Sequence, residues 1–274
     1  MEKKLWGVMA PILSVVLLLS VFIILYHYQH APEEGTVDVA LYSGRGTAES
    51  CVHATEKMFQ WMNFTVKLVN ADEINTMNLS RYRVLCIPGG DMYVYAQDIS
   101  SQGKENIKNF ITTGGGYIGI CGGAYFACQQ VVWQGSPLPM TPLGLLLGTA
   151  EGPINEIAPY PNYTMHKVNI VCSTHPITLA APDALWMLYY SGPAFTPTEN
   201  QTVSILGKYD QVNKTMMLAF EYGQGRIFLI GTHPEFEEDN DRDGVTDYDE
   251  LDDRGSDWSF MRKAARWIMK EPTA

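Results

Sequence analysis

The chain has 274 residues, 46% apolar and 18% charged, which is the balance of a folded globular protein and excludes a disordered one. Nineteen Lys and Arg against thirty Asp and Glu give a net charge of −11, so the basic footprint of a nucleic-acid binder is missing and no nucleic-acid partner is expected. The excess is local. Between Glu235 and Asp253 eleven acids accompany one base, Arg242, and the rest of the chain is close to neutral.

Leu5 to Tyr26 is a run of 22 residues without a charge. As a helix rising about 1.5 Å per residue it spans roughly 33 Å, the hydrocarbon thickness of a bilayer. It is longer than the apolar core of a cleaved signal and ends in Tyr-His-Tyr-Gln-His with no small-x-small site, so an uncleaved signal anchor is expected. Lys3 and Lys4 precede the run; Glu33 and Glu34 follow it. The positive-inside rule puts residues 1–4 in the cytoplasm and the body outside. The expected organisation is a tail (1–4), a transmembrane helix (5–26) with the lipid bilayer as its partner, a linker (27–35) and an ectodomain (36–274) of a single-pass cell-membrane protein. Five N-x-S/T sequons, at Asn63, Asn78, Asn162, Asn200 and Asn213, are more than chance supplies and fit an exported glycoprotein.

In chain order the body alternates strands and helices. Expected strands are Thr36–Tyr42, Phe64–Val69, Arg83–Ile87, Tyr117–Ile120, Lys167–Val171, Leu185–Tyr190, Val203–Tyr209, Met216–Glu221 and Arg226–Ile230. Expected helices are Thr47–Trp61, Gln102–Thr112, Gly123–Gln130 and Ser256–Lys270, the last with Phe260, Ala264, Trp267 and Ile268 on one face. This order predicts an α/β fold with an open parallel sheet covered on both sides, and the runs VLCIPGG and YIGICGG suit its buried centre. Pro137–Pro161 reads as a long irregular loop.

The chemistry centres on Cys121, in Gly119-Ile-Cys121-Gly-Gly between a strand and a helix. Such an elbow turns sharply at the nucleophile; its glycines relieve crowding, the helix N-terminus favours thiolate, and the Gly122 N–H can face an oxyanion. Pro88-Gly89-Gly90-Asp91 follows another strand and can bring the Gly90 amide to the same crevice. Gly231-Thr-His233-Pro-Glu235 ends the last strand with an imidazole and a carboxylate able to orient it, so Cys121, His233 and Glu235 compose a thiol-hydrolase triad. His175 is the competing base, with no carboxylate until Asp183. Of the other four thiols, Cys86 and Cys172 read as buried strand residues, and a Cys51–Cys128 bridge is open to an exported chain.

These stretches resemble the class I glutamine amidotransferase-like superfamily, with its G-x-C-x-G elbow and H-P-E motif. Leu41-Tyr-Ser-Gly-Arg-Gly-Thr47, Ile87-Pro-Gly-Gly-Asp91 and Gly115-Gly-Tyr-Ile-Gly-Ile-Cys121-Gly-Gly-Ala-Tyr-Phe126 resemble more narrowly the N-terminal domain of eukaryotic biotin-protein ligase. The resemblance implies a flavodoxin-like three-layer sandwich with a mostly parallel sheet and the triad Cys121, His233 and Glu235; it does not imply biotin ligation.

The acidic run fits D-x-D-x-D-G-x5-E over 239–250. Calcium is the expected cofactor, held by Asp239, Asp241, Asp243, the Val245 carbonyl, Asp247 and Glu250. The expected function is a membrane-anchored extracellular amidotransferase-like domain, a Cys-His-Glu hydrolase or transferase acting on a small-molecule or peptide amide. The alternative is a catalytically silent ligand-binding ectodomain stabilised by calcium.

Overall fold

Along the central strands successive side chains alternate between two apolar clusters, one on each face of the sheet. The structure, a computed structural model, describes residues 36–76, 78–237, 241–252 and 254–273. Strand β1 (Val37–Tyr42) sends Val39 and Leu41 to one cluster and Ala40 and Tyr42 to the other. β3 (Tyr82–Ile87) does the same with Val84 and Cys86 against Leu85 and Ile87. β4 (Gly116–Ile120) places Ile118 and Ile120 opposite Tyr117, and β13 (Gly225–Ile230) places Phe228 and Ile230 opposite Ile227 and Leu229. This is the period-2 pleat of strands buried on both faces. With β2 (Val66–Val69) they form the parallel block β2–β1–β3–β4–β13.

Helices cover both faces. α1 (Glu49–Trp61) and α6 (Trp258–Ile268) close one side; Phe260, Ala264, Trp267 and Ile268 are buried there, as the helical spacing expects. The other side holds α2 (Ala71–Thr76), α3 (Met92–Asp98), α4 (Ser101–Thr112) and α5 (Gly122–Ala127). The Asp91 carboxylate caps α3 through Tyr93 N (2.9 Å), and Ser100 Oγ caps α4 through Gly103 N (3.1 Å). The result is the expected α/β flavodoxin-like fold.

Beyond β13 the sheet continues through antiparallel β12 (Thr215–Tyr222) and β10 (Ala194–Pro197) to β7 (Leu146–Gly152), β5 (Cys128–Trp133) and β6 (Ser136–Pro137). A branch from β12 carries β11 (Ser204–Tyr209), β8 (Thr164–Ile170) and β9 (Ala184–Tyr189). Two expectations change here. The helix expected to reach Gln130 stops at Ala127, because Val131, Val132 and Trp133 are better placed in a strand. The expected loop Pro137–Pro161 contains β7, which pairs parallel to β5.

The Cys51–Cys128 bridge does not form: all five cysteines are free. Cys128 donates to Ala124 O (3.4 Å) in the α4-side cluster, whereas Cys51 packs with Ala54, Leu188 and Phe236. The five sequon asparagines are all exposed, and Asn63 and Asn213 take positive φ in turns.

The expected transmembrane span 5–26, its tail and its linker lie outside the described residues. Among the described residues no helix is long and apolar enough to cross a membrane. Asp239 also lies outside them. The described part of the acidic run is attached to the body partly through its one base. The Arg242 guanidinium lies 4.3 Å from the Trp258 ring centroid and 5.2 Å from that of Trp61, pairs with the buried Glu237 carboxylate, and donates to Ser256 Oγ (2.6 Å). Removing it takes the guanidinium counter-charge from buried Glu237, which keeps the hydrogen bond from Ser256 Oγ. Arg242→Ala is expected to lower the unfolding free energy by about 2 kcal/mol, read as a lower urea midpoint at unchanged slope, and Arg242→Lys to restore only part of it.

Candidate active site

Parallel neighbours end on the same edge of a sheet. β3, β4 and β13 are adjacent and in register, with Ile87 opposite Gly119 and Ile120 opposite Ile230. Their C-terminal ends therefore deliver Gly89-Gly90, Cys121 and His233 side by side. Cys121 N–H donates to Ile230 O (3.0 Å), extending the ladder by one rung before the chain turns.

The turn is strained at Cys121, which has φ 46° and ψ −102°, a conformation that costs a non-glycine residue of the order of 1–3 kcal/mol. Glycine is required beside it. A Cβ on Gly122 would come 2.8 Å from Gly90 N, and one on Gly123 would strike the Ile87 backbone. The loop carrying Gly90 is pinned on both sides by Asp91 N–H to Gly46 O (2.7 Å) and Ala48 N–H to Gly89 O (3.3 Å). Gly90 N and Gly122 N thus lie close together beside the thiol, and among the described residues neither donates to a protein acceptor. This is the donor pair an oxyanion hole needs.

His233 is fixed at its backbone and at one ring nitrogen. Its N–H donates to Leu188 O (2.9 Å), its Nδ1 lies 2.8 Å from Glu235 Oε1, and its Nε2 is buried with no hydrogen-bond partner in the protein. A carboxylate only accepts, so Nδ1 carries a proton. Glu235 is fully buried, and its backbone carbonyl accepts from Trp258 Nε1 (2.9 Å). Burial alone would discharge the ring, but the Cys121 charge and then the Glu235 carboxylate outweigh it and hold His233 well above the usual imidazole range. The Cys121 thiol donates to Tyr190 O (3.6 Å).

Three residues to which the sequence reading gave no part in the site also stand here. Cys51 Sγ lies 3.9 Å from His233 Nδ1, and burial pushes its pKa up to about 11. Its position at the start of α1, on the same sheet edge, was the available signal. Ser191 has φ 59° and a buried hydroxyl with no partner. Tyr248, inside the acidic run, joins Tyr190 in the wall of a crevice of about 510 Å³ that opens onto Cys121. His175 is elsewhere: its ring packs 4.9 Å from Trp267, and burial and then Arg226, which stands at the start of β13, lower its pKa. It belongs to the opposite sheet edge.

Two of the expected calcium ligands are engaged by the protein. The buried Asp243 carboxylate accepts from Glu237 N (2.9 Å) and Val245 N (3.1 Å), and Glu250 Oε1 accepts from Tyr163 OH (2.6 Å). Gly244 takes φ 76°, the sharp turn expected at its position. Among the described residues the gathered ligand atoms are those of Cys51, His233 and Glu235, within 4.8 Å of one another, and not those of the acidic loop.

The family model for the N-terminal part of biotin-protein ligase matches residues 37–263. A biotin-protein ligase of Schizosaccharomyces pombe is 24% identical over 218 residues, covering 73% of this chain and 33% of that protein. The chain thus spans about a third of that relative's length. An uncharacterised protein of Chlamydia muridarum is 28% identical over 161 residues, 56% of this chain and 61% of that one. Among solved structures, a glutamine amidotransferase of Thermotoga maritima superposes with a TM-score of 0.59 at 13% identity, covering 87% of this chain and all of the other; this likeness is one of fold.

The raised His233 pKa has a definite sign in stability. Its contribution is complete below the unfolded value near 6.5 and is lost as pH rises through the folded value. Because the Cys121 charge is the largest favourable cause, Cys121→Ser should bring the His233 titration down. Long-range ¹H–¹⁵N spectra of the imidazole measure it.

Proposed function

The chain belongs to the biotin-protein ligase N-terminal family, and from that membership and the site geometry we propose that it is a cysteine-dependent amide hydrolase or transferase. The observation that carries this is one strained residue, Cys121, set between the buried His233–Glu235 pair and the free amides of Gly90 and Gly122. In the proposed reaction the Cys121 thiol gives its proton to His233 Nε2 as the sulfur adds to an amide carbon. The oxygen gains charge facing the two amides, and protonated His233 gives its proton to the departing nitrogen. A thioester on Cys121 remains. Water or an acceptor amine, losing a proton to His233, then attacks the thioester and releases the thiol. Glu235 keeps the imidazole in register and offsets its charge.

One observation favours the silent ligand-binding reading: Cys121 Sγ is 3.6 Å from Tyr190 O, while His233 Nε2 has no hydrogen-bond partner in the protein. Turnover separates the two. Ammonia release from a panel of primary amides should fall at least about a thousandfold in Cys121→Ala and up to about ten-thousandfold in Glu235→Gln. Wild type matching Cys121→Ala throughout leaves only the binding domain.

The same proposal includes a setting. The chain is anchored by residues 5–26 with the body extracellular, its exposed sequons carry glycans, and the loop 239–250 takes calcium. For calcium to bind, Glu250 exchanges the Tyr163 hydroxyl for the cation. Millimolar calcium should raise the melting temperature and a chelator reverse the change; no shift removes calcium from the proposal. Protease added to intact cells should digest the body, and protection of the body overturns the topology.

A further inference from the structure

The crevice beside Cys121 is divided chemically. Its inner end gathers the thiol, Gly90 N and the unpartnered hydroxyl of Ser191, with His233 Nε2 buried without a partner behind them. The rest of its lining is largely aromatic: Tyr93, Tyr125, Trp133, Tyr160, Tyr190 and Tyr248. These rings support one another edge-on, Tyr125 to Trp133 at 5.9 Å, Trp133 to Tyr160 at 5.8 Å, with Tyr190 and Tyr248 tilted at 6.2 Å. Among the described lining residues none is Lys or Arg; the charged groups are Asp91, whose Oδ1 caps α3, and His233 beside the thiol. A free amino acid brings an α-carboxylate and an α-ammonium, and the aromatic side chains of the wall carry no charge to pair with either. A flat apolar group instead finds ring faces and edges on several sides.

Resting on the proposed amide chemistry, we infer that the crevice takes an amide carried on an aromatic or other flat apolar group, and discriminates against free glutamine. The amide head sits at Ser191, Gly90 and Cys121, and the ring between Trp133, Tyr160 and Tyr190. Ser191 acts as a specificity residue. Its hydroxyl is buried, held in a left-handed backbone, and without a protein partner, which is the state of a group whose hydrogen bond is made by a ligand.

The test is equilibrium binding to the full chain carrying Cys121→Ala, so that turnover cannot consume the probe. Phenylacetamide, hexanamide and L-glutamine are titrated by calorimetry. Phenylacetamide should bind at least tenfold tighter than glutamine and several-fold tighter than hexanamide. Trp133→Ala, and separately Tyr160→Ala at a half-exposed position that the fold tolerates, should each weaken phenylacetamide at least threefold and leave glutamine unchanged. Ser191→Ala should weaken phenylacetamide and hexanamide alike. Glutamine binding as well as phenylacetamide, no binding of either, or indifference of phenylacetamide to both ring deletions overturns the inference. Binding in this pattern without turnover by the wild-type protein overturns the proposed chemistry alone and leaves the ligand class standing.

Discussion

The site depends on one constraint, the parallel register of β3, β4 and β13. Backbone hydrogen bonds set it, and burial on both faces locks it, since a slip of one residue would exchange the two apolar clusters. Once the register is fixed, the positions just beyond each strand are fixed too. Gly90, Cys121 and His233 are separated by more than a hundred residues at the extremes, yet each lies within three residues of a strand end on one edge. The strained turn at Cys121 is held by strong local bonding, and its cost is spread over a sheet that is rigid on both sides.

The acidic run is joined to the same edge by aromatic contacts more than by charge. Phe236 touches the His233 ring at 5.8 Å and Tyr248 at 4.9 Å, and Tyr248 meets Tyr163 at 4.8 Å. Arg242 fixes the loop to α1 and α6 by stacking and pairing. The net charge of the chain is thus concentrated on a segment whose polar side meets solvent and whose apolar side builds one wall of the crevice.

Much of this was legible in the sequence. The central strands announced themselves as continuous apolar runs, and the glycine-flanked Cys121 and the His233-Pro-Glu235 strand end each carried a mechanism. The antiparallel extension was less legible. β7 is glycine-interrupted, β10 is four residues ending in Pro197, and β5 starts directly after the helix end at Ala127, so their pattern is weak and only pairing reveals them. Cys51 and Ser191 were missed for a different reason. A buried thiol and a loop serine have no periodicity, and their significance comes from partners 182 residues away or from a backbone angle that a sequence does not print. The apolar run at 5–26 lies outside the described residues.

Tyr248 belongs both to the crevice wall and to the acidic loop, and that shared membership makes two events thermodynamically reciprocal. A molecule that rests on Tyr248 restricts the loop, and whatever restricts the loop presents Tyr248 to the molecule. By linkage the factor by which one tightens the other is the same in both directions. The ionic conditions around the loop would then be read out as occupancy of the crevice, and occupancy as protection of the loop against proteolysis, with no movement of the sheet beneath.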